Sequence, residues 1–306
     1  MVNVYEAVSA NKNKSMLVML LFVVFVTAAI YFISLGMGYY FGFEPGGLGI
    51  VGIAFIVSGL MSLGSYYFSD KIVLSISGAR PADRKRDFNF YTIAENLSLA
   101  SGLPKPKLYV IDDSAPNAFA TGRDPDHAVV VATTGLLDKL TRTELEGVIA
   151  HELSHVKNYD TRLMSIVAVL VGTIALLGDW FLRMTWNSDS DNDSKNGGIF
   201  IIVGLVFALL SPIIGQLIQL AISRRREYLA DASSVSLTRQ PSGLISALQK
   251  IAADHEPLEA ANKATAHMYI VNPFKGHEKR AVSWFANLFN THPPMEQRIS
   301  ALKKME

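Results

Sequence analysis

The sequence predicts an α+β membrane protein: four transmembrane helices in two pairs, and two polar segments that together build a domain of helices and a small β-sheet. Three observations carry this. Charged residues make up only 18% of the 306 residues, against about 25% in an average soluble domain. Half of the residues are hydrophobic, and mean hydropathy is +0.25. The apolar residues are gathered into four long runs, and the segments between them alternate helical spacing with short strand-like stretches. The 28 Lys and Arg nearly balance the 27 Asp and Glu, so the basic footprint of a nucleic-acid binder is missing and no nucleic acid is expected as partner. Cysteine is absent. Disulfides, thiolate metal sites and cysteine nucleophiles are therefore excluded, and any metal must be held by His, Asp or Glu.

The first apolar run, 16–43, and the second, 45–69, carry no charge, with only Glu44 between them. The third, 163–182, is interrupted only by Asp179, and the fourth spans 196–223. Each exceeds or reaches the roughly 20 apolar residues a helix needs to cross a bilayer core. Tyr39, Tyr40, Phe41, Tyr66, Tyr67, Trp180 and Trp186 lie at run ends, as an interfacial aromatic belt requires. Run 16–43 is too long for the hydrophobic region of a signal peptide, about 7–15 residues, so it is expected to stay as an anchor. Glu44-Pro45-Gly46-Gly47 makes a tight link, and residues 1–69 should form a transmembrane hairpin. Residues 163–223 should form a second one, joined through the acidic, Asn/Ser-rich stretch 188–196.

Lys12, Lys14, Lys71, Arg80, Arg84, Lys85, Arg86, Lys157, Arg162 and Arg224–Arg226 all fall on one side of this arrangement. The excess of Lys and Arg marks the cytoplasmic side. Both termini and the polar segments 70–162 and 224–306 are thus expected to face the cytoplasm. Arg224 to Arg226 suit anionic headgroups, with Arg226 alternatively reaching the site described below.

Within 70–162, residues 89–101 have helical spacing and end at Gly102-Leu103-Pro104. Strand-like runs follow at 107–111, 117–121 and 128–132, punctuated by turn residues, and a short helix is expected over 135–140. Thr141-Arg-Thr-Glu144 reads as a capping box that opens a helix over 143–158. The second polar segment reads as helices at 224–236, 242–253 and 295–304, with an irregular stretch, 267–294, before the last.

The strongest chemical signal is His151-Glu152-Leu153-Ser154-His155, inside the helix expected over 143–158. Histidines four apart share one helical face, so both imidazoles can reach one ion. Glu152 is turned about 100° from His151 around the axis, so it can flank the ion without binding it. A catalytic zinc site usually takes three protein ligands. Glu227 is the best candidate for the third. Asp231, four residues on, shares its face and can accept a hydrogen bond from a ligand histidine, fixing its tautomer. Asp160, five residues after His155, is either a similar orienting group or a plain helix-end polar residue. If 163–223 leaves the membrane side and returns to it, Glu227 comes back beside His155.

His-Glu-Leu-Ser-His at 151–155, Ser-Arg-Arg-Arg-Glu-Tyr-Leu-Ala-Asp at 223–231, Asn-Ala-Phe-Ala-Thr-Gly at 117–122 and Thr-His-Pro-Pro-Met-Glu-Gln-Arg-Ile at 291–299 resemble the M48 family of membrane zinc metallopeptidases. The length and four runs resemble its bacterial HtpX-like heat-shock branch. The related CAAX prenyl proteases share the metal motifs but have more spans. The resemblance covers nearly the whole chain in the same order. It implies a gluzincin-like catalytic domain, one Zn2+ with Glu227 as third ligand, and a location in a bacterial plasma (inner) membrane. The implied activity is endopeptidase action on unfolded, damaged or membrane polypeptides in quality control.

On this reading Glu152 is the general base that takes a proton from water and returns it to the leaving amide nitrogen. His292 and Arg298 are the polar candidates for contacting the developing oxyanion or the substrate, a fixed loop contact being the alternative. Asn117, Ala118, Phe119, Ala120 and Thr121 resemble the family's edge strand, to which an extended substrate adds. An ordinary buried strand is the alternative there. Two other functions stay open: an intramembrane protease with its motif inside a span, and a membrane-anchored zinc adaptor or chaperone without proteolysis.

Overall fold

The computed structural model describes residues 4–41, 47–170, 172, 224–254, 256–260, 265–271 and 293–306. Two long helices come first, α1 (Val4–Phe41) and α2 (Gly47–Ile76). Both are long and apolar enough to cross a membrane, over Val8–Ala28 and Val51–Ile76. They pack on each other through small and polar contacts: Ala54 is buried, and the hydroxyls of Thr27 and Ser58 are 3.1 Å apart. Small residues let helix backbones approach where lipid offers no hydrophobic drive. Met16, Leu20, Ile53, Phe55, Ile56, Leu60 and Leu63 all face outward. An apolar surface of this kind is costly in water and suits lipid. The second helix does not stop at residue 69 but continues through Asp70 and Lys71 to Ile76. Its last turns bury Val73 and Leu74 against Phe119 and Val131, which extends the helix beyond the apolar run itself.

The sheet has four strands, β1 (Arg80–Pro81), β2 (Lys107–Ile111), β3 (Ala118–Thr121) and β4 (Val129–Thr133), in the order β1-β2-β4-β3. β2 and β4 are parallel, with Tyr109 opposite Val131. β3 is antiparallel to β4, with Phe119 also opposite Val131, and lies at the edge. Between β1 and β2 lies α3 (Phe88–Ser101), ended by Gly102 at φ 70°, the left-handed cap that glycine adopts without a Cβ clash.

After β4 come α4 (Thr134–Lys139) and α5 (Arg142–Lys157). Glu144 accepts a 2.7 Å bond from the Thr141 backbone N–H, the reciprocal half of the capping box. α5 ends at Asn158, and Tyr159 takes a positive φ of 59°. That turn breaks the helix and starts another, α6 (160–170). α7 (Arg224–Thr238), α8 (Pro241–Ala253) and α9 (Met295–Lys303) follow, and short 3-10 turns lie at Pro125–His127 and Ala266–Met268. One core joins α3, α5, α8 and α9 to one face of the sheet through Phe90, Val130, Val148, Leu244 and Leu302. A second joins α1, α2 and α6 to the other face through Phe22, Val73, Phe119 and Leu163. The metal-motif helix is thus clamped between the sheet and helices, while the apolar pair is attached to the far face. The remainder of the third run and all of the fourth fall outside the described residues.

Candidate metal centre

His151, Glu152 and His155 are placed by α5, whose residues Leu145, Val148, Ile149 and Leu153 are buried in the first core. Because α5 is packed on nearly every side, its two histidines are buried, at 1% and 5% exposure. Their rings stand edge to face, 4.8 Å apart, and their Nε2 atoms are 3.2 Å apart. Glu227, in the first turn of α7, faces both. Its Oε1 is 3.6 Å from His155 Nε2 and its Oε2 is 3.7 Å from His151 Nε2. One ligand atom from each of the three residues lies within 4.8 Å of the others.

Each imidazole is oriented from behind. His151 Nδ1 is 3.0 Å from Asp231 Oδ1, and His155 Nδ1 is 2.9 Å from Asp160 Oδ2. With Nδ1–H donated to a carboxylate, the Nε2 lone pairs of both rings point at the space facing Glu227. That donor set fits zinc. At a zinc–nitrogen distance of about 2.0–2.1 Å, two nitrogens on a tetrahedral ion are separated by roughly 3.3–3.4 Å, close to the spacing of the two Nε2 atoms.

Charges around the triad are arranged in layers. Arg298, fully buried, donates from Nε to Asp231 Oδ2 at 2.9 Å and from Nη2 to Asp231 Oδ1 at 2.6 Å. Its Nη1 is 3.5 Å from Glu227 Oε2. Burial opposes ionisation of Asp231, but Arg298 and His151 outweigh it and hold the carboxyl well below its usual range. His151 is pushed down by burial and by the Arg298 charge. Burial would also lower His155, yet the hydrogen bond to Asp160 and the Glu227 charge lift it to about 9. Burial raises Glu152 to about 7, with Glu227 adding to the effect.

Glu152 faces the edge strand, where the backbone N–H of Ala120 favours its charged form. All four β3 residues are buried. Phe119 packs edge to face on Tyr269, with centroids 5.0 Å apart, on the face away from α5. Part of the strand's open side is occupied. Ala118 O accepts from Ile270 N–H at 3.0 Å, and Asn117 Nδ2 donates to Val271 O at 3.0 Å. The structure therefore brings together His151, His155, Glu152, Glu227, Asp231, Asp160, Arg298 and β3, with Asn117 just before the strand rather than in it. His292 lies outside the described residues. Asn11 of α1 also reaches this neighbourhood, at Asp160, which no motif announces.

Residues 85–306 match the profile of peptidase family M48. The chain is 47% identical over 302 residues to the "Protease HtpX homolog" of Dictyoglomus turgidum, covering 98% of this chain and 94% of that one. It is 42% identical over 309 residues to the protein of the same name from Lactobacillus helveticus, covering 98% and 99%. A crystal structure of S. mikatae Ste24p aligns with TM-score 0.45 and 20% identity, over 96% of this chain and 66% of that one. With the profile spanning most of its length and relatives this similar from end to end, the chain belongs to peptidase family M48, as an HtpX-like metalloprotease.

Proposed function

We propose that this metalloprotease is a zinc endopeptidase held by four transmembrane helices in a bacterial inner membrane. Its site faces the cytoplasm and cleaves unfolded or damaged polypeptides, membrane proteins among them. The division into a hairpin at 1–69, catalytic segments at 70–162 and 224–306, and a second hairpin at 163–223 goes with this reading. Support for the membrane comes from the outward apolar surface of α1 and α2 and from the distribution of Lys and Arg.

One observation carries the chemistry: two imidazoles and a carboxylate converge on one point, with a second carboxylate, Glu152, beside it. His151, His155 and Glu227 would hold one zinc ion. When bound, zinc supplies Lewis acidity toward a water and a carbonyl. Asp231 and Asp160 keep Nδ1 of each ligand protonated and each ring fixed. Arg298 is best suited to holding Asp231, because two of its donors are already committed there. Glu152 takes the proton of the attacking water and passes it to the leaving amide nitrogen. The substrate lies extended along the part of β3 beyond Ala118, since the Asn117 amide and the Ala118 carbonyl are already bonded to Val271 and Ile270 and hold that segment beside the strand. His292 is proposed as a contact to the oxyanion.

A spare buried carboxylate next to the ligands has no use in a structural zinc site, which favours an enzyme over an adaptor. The test is proteolysis of an unfolded polypeptide by full-length protein in detergent, before and after treatment with a chelator. Cleavage that stops on chelation and returns with zinc supports the reading, and cleavage indifferent to the chelator contradicts it.

A further inference from the structure

The first membrane helix enters the metal site's supporting framework. Asn11 lies on α1, five residues before the apolar run begins, and is 2% exposed. Its side-chain amide makes three bonds, each to a segment that bears on a ligand. Nδ2 donates to the carbonyl of Asn158, the C-cap of the helix carrying His151 and His155, at 2.9 Å. It also donates to Asp160 Oδ1 at 2.6 Å, while the other oxygen of Asp160 holds His155 Nδ1. Oδ1 accepts from Arg226 Nη1 at 3.1 Å, and Arg226 precedes Glu227. Arg226 closes the ring with a 3.3 Å contact to Asp160.

We propose that Asn11 is a positioning residue of the metal centre, and that the membrane anchor is thereby a working part of the active site. This rests on the zinc reading above. Asp160 can fix His155 only if its own position is fixed. Its two oxygens divide the task, one bonding the imidazole and one taking a donor from Asn11 and a charge from Arg226. An apolar residue at position 11 would leave a buried carboxylate oxygen and a buried carbonyl short of donors, which costs more than the bonds themselves contribute. Asp160 would then turn toward Arg226, and the imidazole would lose its support. The chemistry selects an amide, since only an amide donates twice to oxygens while accepting from a guanidinium in so small a space. Ser15, one turn on, bonds the Asn11 carbonyl within the helix and serves as the control.

The experiment measures zinc affinity of the full-length protein in detergent by competition with a chromophoric chelator, with thermal unfolding of the zinc-free forms as the check on folding. Asn11→Leu is expected to weaken zinc binding by about tenfold, the low end of what loss of a supporting partner does. Ser15→Ala should stay within twofold of wild type. Asn11→Asp keeps the size and the acceptor for Arg226 but loses both donors, so it should weaken zinc binding as well, and it decides the matter if Asn11→Leu does not fold. In either variant kcat should fall with KM little changed, because no substrate contact is touched. Zinc affinity within twofold of wild type in a folded Asn11 variant overturns the inference while leaving the zinc reading intact. A wild-type protein that binds no zinc overturns the reading itself.

Discussion

His151 and His155 present their Nε2 atoms to each other across 3.2 Å, within hydrogen-bonding distance when one of the two carries a proton. Each is turned that way by a carboxylate behind it, Asp231 for one and Asp160 for the other. Both rings are thus turned toward one point, and Glu227 lies on its third side.

Replacing Glu227 by Gln keeps the size and removes the charge. The two imidazoles would then form an incomplete set for a divalent ion. We expect zinc content after dialysis to fall well below one per chain and proteolysis to drop by about a hundredfold or more, the upper end of losses seen even for supporting residues. Elemental analysis beside a cleavage assay checks this; full zinc occupancy would remove Glu227 from the ligand set.

Asp231 and Arg298 form a bidentate pair in which neither side chain is more than 1% exposed. Asp231→Leu strands a buried guanidinium, and breaking a buried pair from one side costs about 3–5 kcal/mol. We expect a clear fall in thermal stability even in zinc-free protein. The double change Asp231→Leu with Arg298→Met should recover part of it, since the stranded charge is gone. A double variant less stable than Asp231→Leu would contradict this.

Glu144 links the start of α5 to α8. Burial disfavours its charge, but bonds from Lys250, Ser246 and Thr141 prevail and hold it down to about 2, from an ordinary 4.5. A depressed carboxylate stabilises the fold fully above the unfolded value and loses that contribution as pH falls through the folded one. The window is pH 4.5 down to 2, and the contribution is on the order of 1–3 kcal/mol. Glu144→Gln should be less stable at neutral pH and show a flatter stability profile across that window, read by chemical unfolding.

Gly147 lies one turn before His151. A Cβ there would stand 2.8 Å from Leu244 N and 2.9 Å from Leu244 Cα, and a Cβ on Gly243 would meet Thr143 O at 2.7 Å. α5 and α8 approach this closely because both positions lack side chains. Alanine raises helix propensity by about 1 kcal/mol, but a clash with backbone cannot be relieved by a rotamer change, and overpacking costs about 1–3 kcal/mol. Gly147→Ala is expected to lower the melting temperature and weaken zinc binding together. An unchanged or raised melting temperature would contradict it.

Much of this was legible in the chain because it depends on local chemistry. The capping box at Thr141 predicts the start of α5 to within a residue, and the punctuated runs at 107–111, 117–121 and 128–132 match β2, β3 and β4 closely. The i, i+4 spacing puts His151 and His155 on one face, and Glu227 with Asp231 on another. What could not be read depends on contacts between distant segments. β1 is two residues, Arg80 and Pro81, defined by pairing with β2 rather than by composition. The segment ending in Ile270 and Val271 bonds β3 through backbone groups that every residue has. Arg298 is one of many arginines by sequence, and only folding assigns it to Asp231. Asn11 is a polar residue ahead of an apolar run, with the i, i+4 pair Asn11 and Ser15 as the sole hint of a buried polar stripe.

The central claim is that Glu152 moves the proton while three other side chains hold the metal. The most direct measurement pairs zinc content with cleavage of an unfolded polypeptide for Glu152→Gln in the full-length protein. The expected result is zinc at the wild-type level with cleavage abolished; wild-type cleavage by the zinc-loaded variant would contradict the account.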